Sequence, residues 1–523
     1  MSLALLPVLL LLAGSLALMV VQSRAPRLTW LVGSIAVAIA WGLTWGLASV
    51  LPTTTSLSAW EPVELFGSTL QLTLDLLSWK FVFCTLTVVL SIALTALARP
   101  VDGRRQVQPF TLVYPALAML PMMAGNLLTV AMAWALMDIV TFLYSLNAVD
   151  GGEGVQRLVV RLGIDGGGIL LVLAAALANL RGGEVEASVM SPWAVGLLAM
   201  AVLLKLGLLP PHFMFPAFTG VSRELGTLLR LLPPAAALSV LARQFSYGLA
   251  DQMRIWLGLA GLVGLLVGGL GWAMAEDVLA GRRRLVMAVS GVGMLGASLV
   301  EVQPGMPVEA AGLVLLLVGA VVSLGEIYST WHRLIPGMAM LMIGGMPGSP
   351  CGGYSQALAE GLLSSRGAWL AVGGIIGLAL LAAGMLRKAF SEIEEWPEVE
   401  DVSKVVYGIG LVLPIVAGLG IGIGWKGLSD LGVVDAALFV FVAGMGCAAA
   451  LLSKRLPRYK LLGTNGLARL MEANSMPRGL QRMGEAMMGG VRAVGRMLEG
   501  EGGMLWLYAV LLAIALALMG ARL

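Results

Sequence analysis

The sequence predicts an all-α polytopic membrane protein, and three observations carry that prediction. Hydrophobic residues make up 59% of the 523 positions and charged residues only 12%, roughly half the charged share of a soluble globular domain. The apolar residues fall in runs long enough for the ~20-residue helix that crosses a hydrocarbon core. Those runs recur almost from end to end, and the loops between them are short.

About 14 to 16 spans are expected on that length criterion. The first lie near Leu3–Val21, Thr29–Val50, Lys80–Ala98, Phe110–Gly125 and Asn126–Leu146. The middle group lies near Gly167–Leu180, Ala194–Leu209, Leu225–Ala242, Ile255–Ala275 and Leu285–Val300. The rest lie near Val308–Ser329, Pro336–Pro350, Trp369–Leu386, Val405–Trp425, Val433–Ser453 and Met504–Ala521. The run Met1 to Val21 has no basic residue before it and no small-residue cleavage site, so it reads as a retained first helix rather than a signal peptide.

Basic residues set the orientation. The first loop carries Arg24 and Arg27 and the third carries Arg99, Arg104 and Arg105, whereas the second carries Glu61 and Glu64. The first and third loops are therefore expected in the cytoplasm and the amino terminus outside. The three cysteines, Cys84, Cys351 and Cys447, form no CxxC pair, and the 68 glycines suit close helix packing in lipid. Gly151-Gly152-Glu153-Gly154 and Gly166-Gly167-Gly168 read as turns. No phosphate-cradling glycine loop, dinucleotide fingerprint or metalloprotease helix is present. Nothing points to a nucleotide, flavin, haem, iron–sulfur or other cofactor, to a metal site, or to a nucleic-acid partner.

Two stretches interrupt the helical pattern. One is Leu208-Leu209-Pro210-Pro211-His212 and the other Gly344-Gly345-Met346-Pro347-Gly348-Ser349-Pro350. Proline removes a backbone donor and frees carbonyls that lipid cannot satisfy, so such breaks sit against protein or a wet cavity. Discontinuous helices at mid-membrane are a transporter feature. For the second stretch, a plain loop between two spans is the expected reading.

Ionisable residues inside the membrane are costly and point to function. Lys205 stands in Met200–Leu209 with apolar neighbours on both sides, a central place that makes snorkelling to an interface the weaker reading. A lysine buried there is suited to proton exchange. Asp138 is the only charge in its span and makes a candidate acid–base partner for Lys205. Glu326 and Asp435 stand near span ends, and Asp75 and Lys80 flank the start of the third span, where interfacial positions are expected. Of the two histidines, His212 follows the double proline and is a candidate proton relay, with a purely structural role equally open.

The region Lys454 to Gly503 differs from the rest. Leu480, Met483, Met487, Val491, Val494 and Leu498 recur at three-or-four spacing, with Arg478, Arg482, Arg492 and Arg496 mostly off that stripe. This pattern predicts an amphipathic helix along a membrane surface or a partner. The expected organisation is a transmembrane core over 1–453, a lateral helix over 454–503 and a final span over 504–523.

Taken in order, several motifs resemble those of the antiporter-like, proton-conducting subunits of complex I, of group 4 membrane-bound hydrogenases and of multi-subunit sodium/proton antiporters. Leu74-Asp75-Leu76-Leu77-Ser78 is similar to the family's LDxLS opening of the third span. Asn126-Leu127-Leu128-Thr129 followed by Trp134 resembles its fifth span, and Lys205 with Pro210, Pro211, His212 and Pro216 its broken seventh. Arg284 to Ser290, ending at Gly296, and Gly345-Met346-Pro347 with Gly352 complete the set.

The resemblance implies a proton-carrying role for Lys205. The family's glutamate partner falls at Ala135, and Asp138 stands about one helical turn later. The family's histidines and central lysine are replaced by Leu313-Val314-Leu315-Leu316-Leu317-Val318-Gly319, with Glu326 the nearby charge. The implied proton pathway is Lys205, Asp138, His212 and Glu326.

The resemblance further implies a non-catalytic, proton- or sodium-translocating subunit of a hetero-oligomeric complex, multi-pass in the inner (plasma) membrane. Its partners would be other membrane subunits and soluble redox or carbon-handling subunits. Two alternatives stand beside it: the membrane subunit of an inorganic-carbon uptake complex, and a structural scaffold without conduction.

Overall fold

The computed structural model describes residues 3–25, 28–57, 69–98, 108–148, 152–180, 190–208, 222–275, 278–346, 348–364, 367–425, 437 and 439–448. Pro210, Pro211, His212 and Pro347 lie outside the described residues, as do the expected lateral helix and final span. The described residues fall in one compact unit, within 1–454.

The described residues are overwhelmingly helical. In chain order the helices are α1 (Leu6–Arg24), α2 (Thr29–Leu47), α3 (Leu76–Ala96), α4 (Gln108–Met122), α5 (Leu127–Ala148), α6 (Gly152–Leu180), α7 (Pro192–Lys205) and α8 (Arg223–Phe245). They continue with α9 (Asp251–Met274), α10 (Val278–Leu299), α11 (Gly305–Leu324), α12 (Leu334–Ile343), α13 (Gly352–Leu363), α14 (Ala368–Ala389), α15 (Asp401–Trp425) and α16 (Phe439–Ala448). Ten of the described helices are long and apolar enough to cross a membrane, and Pro109–Met122, Pro192–Lys205 and Phe439–Ala448 are shorter apolar helices. The chain is a multi-pass membrane protein.

The sequence-based segmentation needs three corrections. Gly166, Gly167 and Gly168 form no turn; they lie inside α6, which runs 29 residues. The expected span Pro336–Pro350 is helical only in its first part, within α12; Gly345 and Gly348, at φ of +86° and +77°, part it from α13, which begins at Gly352. The freed Gly345 carbonyl accepts from the Ser355 hydroxyl at 3.1 Å, which meets the backbone requirement of an apolar setting.

The third correction is an unpredicted hairpin. β1 (Thr53–Leu57) pairs antiparallel with β2 (Leu70–Leu74), in the register Thr53↔Leu74 to Leu57↔Leu70. Its run of three threonines is good strand sequence. The other edge of β2 is also covered: Gly125 N–H donates to Gln71 O at 2.8 Å and Thr73 N–H to Met123 O at 2.6 Å.

The hairpin explains two of the motifs. Asp75 ends β2 and caps α3, accepting from Ser78 N–H at 2.8 Å and from its hydroxyl at 2.7 Å. Arg243 reaches the same carboxylate from α8 at 3.1 and 3.2 Å and also donates to Ser78 Oγ and the Ala124 carbonyl. Asn126 performs the matching task for α5, accepting from Thr129 N–H at 2.8 Å while donating to Thr69 O at 2.7 Å. Asp75→Ala removes both a helix cap and the partner of Arg243. It should lower stability by about 1–2 kcal/mol, read as a lower midpoint in thermal unfolding of the detergent-solubilised protein.

At the opposite end, three cations close α11. Arg223 and Arg282 each donate to Ser323 O at 2.8 Å, and Lys388 donates to Val322 O. These are the carbonyls that a helix end leaves without intrahelical partners. Arg387 performs the same service for Ala275 O at the end of α9. The bundle therefore has a hairpin end and a basic end. α2 begins beside the last turn of α3, where Trp30 donates to Ala93 O at 2.6 Å. This places Arg24 at the basic end.

Candidate functional site

Lys205 is the last residue of α7, about 20 Å along a helix that Ser191 caps and Pro192 opens. Asp138 lies about 17 Å along α5 from its first residue. Both depths fall near the middle of a hydrocarbon layer about 30 Å thick. The two side chains meet: Lys205 Nζ donates to Asp138 Oδ2 at 2.7 Å and to Oδ1 at 2.8 Å. Their side chains are 2% and 7% exposed, so the pair is cut off from bulk solvent.

A second carboxylate joins them. Asp165 Oδ1, from α6, stands 3.8 Å from Lys205 Nζ, and Asp165 Oδ2 accepts from Arg161 Nε at 3.4 Å one turn back on the same helix. Gly168, one turn on, faces Ala201 and Lys205 of α7. Two carboxylates and two cations thus form a formally neutral quartet, the form in which buried charge is tolerated. The ring of Trp134 lies 5.0 Å from Lys205 Nζ, an added cation–π contact. Beyond Asp138, Thr141 donates to Tyr114 Oη at 3.1 Å. Chemically the quartet gives one lysine two alternative carboxylate acceptors on two helices.

Glu326 belongs to a different cluster. It follows α11 at the basic end, ion-paired with Arg223 and hydrogen-bonded by Tyr328, while its N–H donates to Tyr407 Oη at 2.8 Å. His332 lies near it, its Nδ1 2.7 Å from Ser329 Oγ, stacked on Trp331 and flanked by Tyr328, Trp396 and Tyr407. Burial pushes the His332 imidazole down from its ordinary value, towards the neutral form.

Lys80, expected at an interface, is buried within the protein and pairs with Glu309 of α11 at 3.0 Å. Sequence reading missed Glu309, Asp165 and Arg161. The i,i+4 spacing of Arg161 and Asp165 in an apolar run was the available signal for the last two.

No protein-family model matches the sequence, and no curated protein sequence matches it. Solved structures do match in three dimensions. A chain of the Mrp complex from Dietzia sp. DQ12-45-1b superposes with a TM-score of 0.70 at 18% identity, over 99% of this chain and 63% of that one. A chain of the membrane-bound sulfane sulfur reductase, an archaeal respiratory membrane complex, gives 0.66 at 14% identity, over 98% and 99%. The chain shares the fold of these membrane-complex chains. A chain of respiratory complex I from Thermus thermophilus, solved with bound aureothin, gives 0.57 at 19% identity, over 80% and 98%. The chain thus spans less than two thirds of the Mrp chain and nearly the whole of the other two.

Proposed function

We propose that this protein is an ion-translocating membrane subunit of a multi-subunit energy-coupling complex, moving protons or sodium across an inner membrane with Lys205 and Asp138 as the exchanging couple. The observation that carries the reading is the 2.7 Å ion pair between them, formed at mid-span by residues 67 positions apart on two helices. Intramembrane charges mark ion routes more often than structure. Passage of the Lys205 proton to Asp138 makes a neutral amine and acid. Movement of the ammonium towards Asp165 gives a second arrangement with the same net charge. Alternation between the two is the elementary step proposed here.

The chain's neighbours in fold come from assemblies of several subunits, and the partners proposed for this one are other membrane subunits with a soluble redox or carbon-handling module. A scaffold without conduction has one observation in its favour: α11 carries no charge from Ala310 to Leu324. Flux separates the two. In vesicles holding the purified complex, Lys205→Ala and Asp138→Asn should each reduce ion uptake to the level of empty vesicles while assembly is retained. Unchanged uptake in both variants would establish the scaffold.

A further inference from the structure

We propose that Lys80 and Glu309 form a second proton-exchange station, at the hairpin end of the bundle and separate from Lys205 and Asp138. The inference rests on the conduction reading above. Lys80 is the only charged residue of α3, and Glu309 the only one of α11. They lie 229 positions apart in sequence and meet at 3.0 Å, with 8% and 9% of their side chains exposed. Each sits four residues into its helix, about 6 Å below the hairpin end.

Holding α3 against α11 does not require charge. Two apolar side chains of similar size would do so without the desolvation cost of an ion pair. The setting also confines where the pair can exchange protons. Below Glu309, α11 is buried and uncharged through Leu324, so no relay runs along it to the basic end. Above the pair lie polar groups: Ser78 and Asp75, two and five residues before Lys80, are held by Arg243. Among the described residues, the Cys84 thiol is a further titratable group beside the pair.

Arg243 in turn lines a cavity of about 20 Å³ with Asn126, Ser239 and Gln244, large enough to admit a water molecule. Val130 of α5 and Leu198 of α7 form the cavity's other wall. These lie about two turns along their helices from Asp138 and Lys205 respectively. One cavity therefore adjoins both the helices that carry the central couple and the arginine that leads to Lys80 and Glu309.

The proton balance is simple. Transfer from the Lys80 ammonium to the Glu309 carboxylate leaves a neutral amine and acid, with net charge unchanged. Uptake of one proton by the amine raises the charge of the station by one, and release of the Glu309 proton towards the hairpin end restores the ion pair.

The test uses the purified complex in vesicles, with a pH-sensitive dye and an imposed potassium diffusion potential. The double variant Lys80→Met, Glu309→Met keeps side-chain bulk without charge. It should assemble with an unchanged melting midpoint and lose proton uptake. Wild-type uptake in that variant would overturn the inference. If the double variant does not assemble, Glu309→Gln replaces it, since the amide oxygen still accepts from Lys80; there too, lost uptake supports the station and wild-type uptake overturns it. Lys205→Ala is measured alongside. Loss in Lys205→Ala with wild-type uptake in the pair variant removes only this inference, whereas wild-type uptake in both removes the conduction reading.

Discussion

Asp138→Ala should destabilise the protein by about 3–5 kcal/mol, the cost of leaving one member of a buried ion pair without its partner. Lys205 would retain only Asp165, at 3.8 Å and already engaged by Arg161, in a position where its own side chain is 2% exposed. The double variant Asp138→Leu, Lys205→Met should recover most of that loss, because it removes both charges and fills the space with apolar atoms. Asp165→Asn should cost less than Asp138→Ala, since Lys205 keeps both oxygens of Asp138 and Arg161 keeps an amide oxygen to bond. Denaturant unfolding of the four proteins in one detergent reads the series. Equal costs for the two aspartate variants would mean that Lys205 is shared evenly, and the description of Asp138 as its principal partner would fail.

Much of this arrangement is legible in the sequence because lipid simplifies the reading. A charge in an apolar run has few innocent explanations, so Lys205 and Asp138 stand out, and the structure brings them together. The fold class follows from the same apolar runs. What escapes is anything that depends on which helices become neighbours. Lys80 looks interfacial from its place near a helix start; it is buried because α11 lies against α3, and sequence gives no hint that Glu309 is opposite. Asp165 is hidden for another reason. The three glycines after it suggest a turn, yet α6 continues through them, because a backbone outside a helix has no hydrogen-bond partners in lipid. The hairpin is too short and too polar to compete with the surrounding helical signal, although it anchors the caps of α3 and α5.

The charges sort by depth. Arg223, Arg282, Arg387 and Lys388 hold helix-end carbonyls at the basic end, and Glu326 pairs with Arg223 there. Their positions are accounted for by helix termination. Lys205 ends α7, but it and Lys80 are buried and bond carboxylates across the bundle, Asp138 and Glu309. That contrast is why Glu326, one of the residues singled out from sequence, fits the proposed route less well than Asp165, which was not.

Gly268→Leu is the substitution expected to do most damage away from any charge. α9 and α10 cross so closely that a Cβ at Gly268 would lie 2.6 Å from Ala288 N and 2.7 Å from Arg284 O, and one at Gly261 would lie 2.5 Å from Leu295 N. These are backbone atoms, which no rotamer change can move aside, so the helices must separate. Small residues at such crossings supply the packing that holds helices together in lipid. The cost should be about 3 kcal/mol or more, seen as loss of assembled protein in size-exclusion chromatography. Gly42→Ala is the matching control, because nothing lies within 4 Å of its added Cβ and alanine favours helix over glycine; its elution should be unchanged. Gly264→Ala separates packing from function. Its Cβ meets the end of the Leu208 side chain, three residues past Lys205, and a leucine tip yields more readily than backbone. The protein should therefore assemble, but with the segment after Lys205 displaced and ion uptake reduced. Wild-type uptake in Gly264→Ala would show that the position of Leu208 has no bearing on the Lys205 couple.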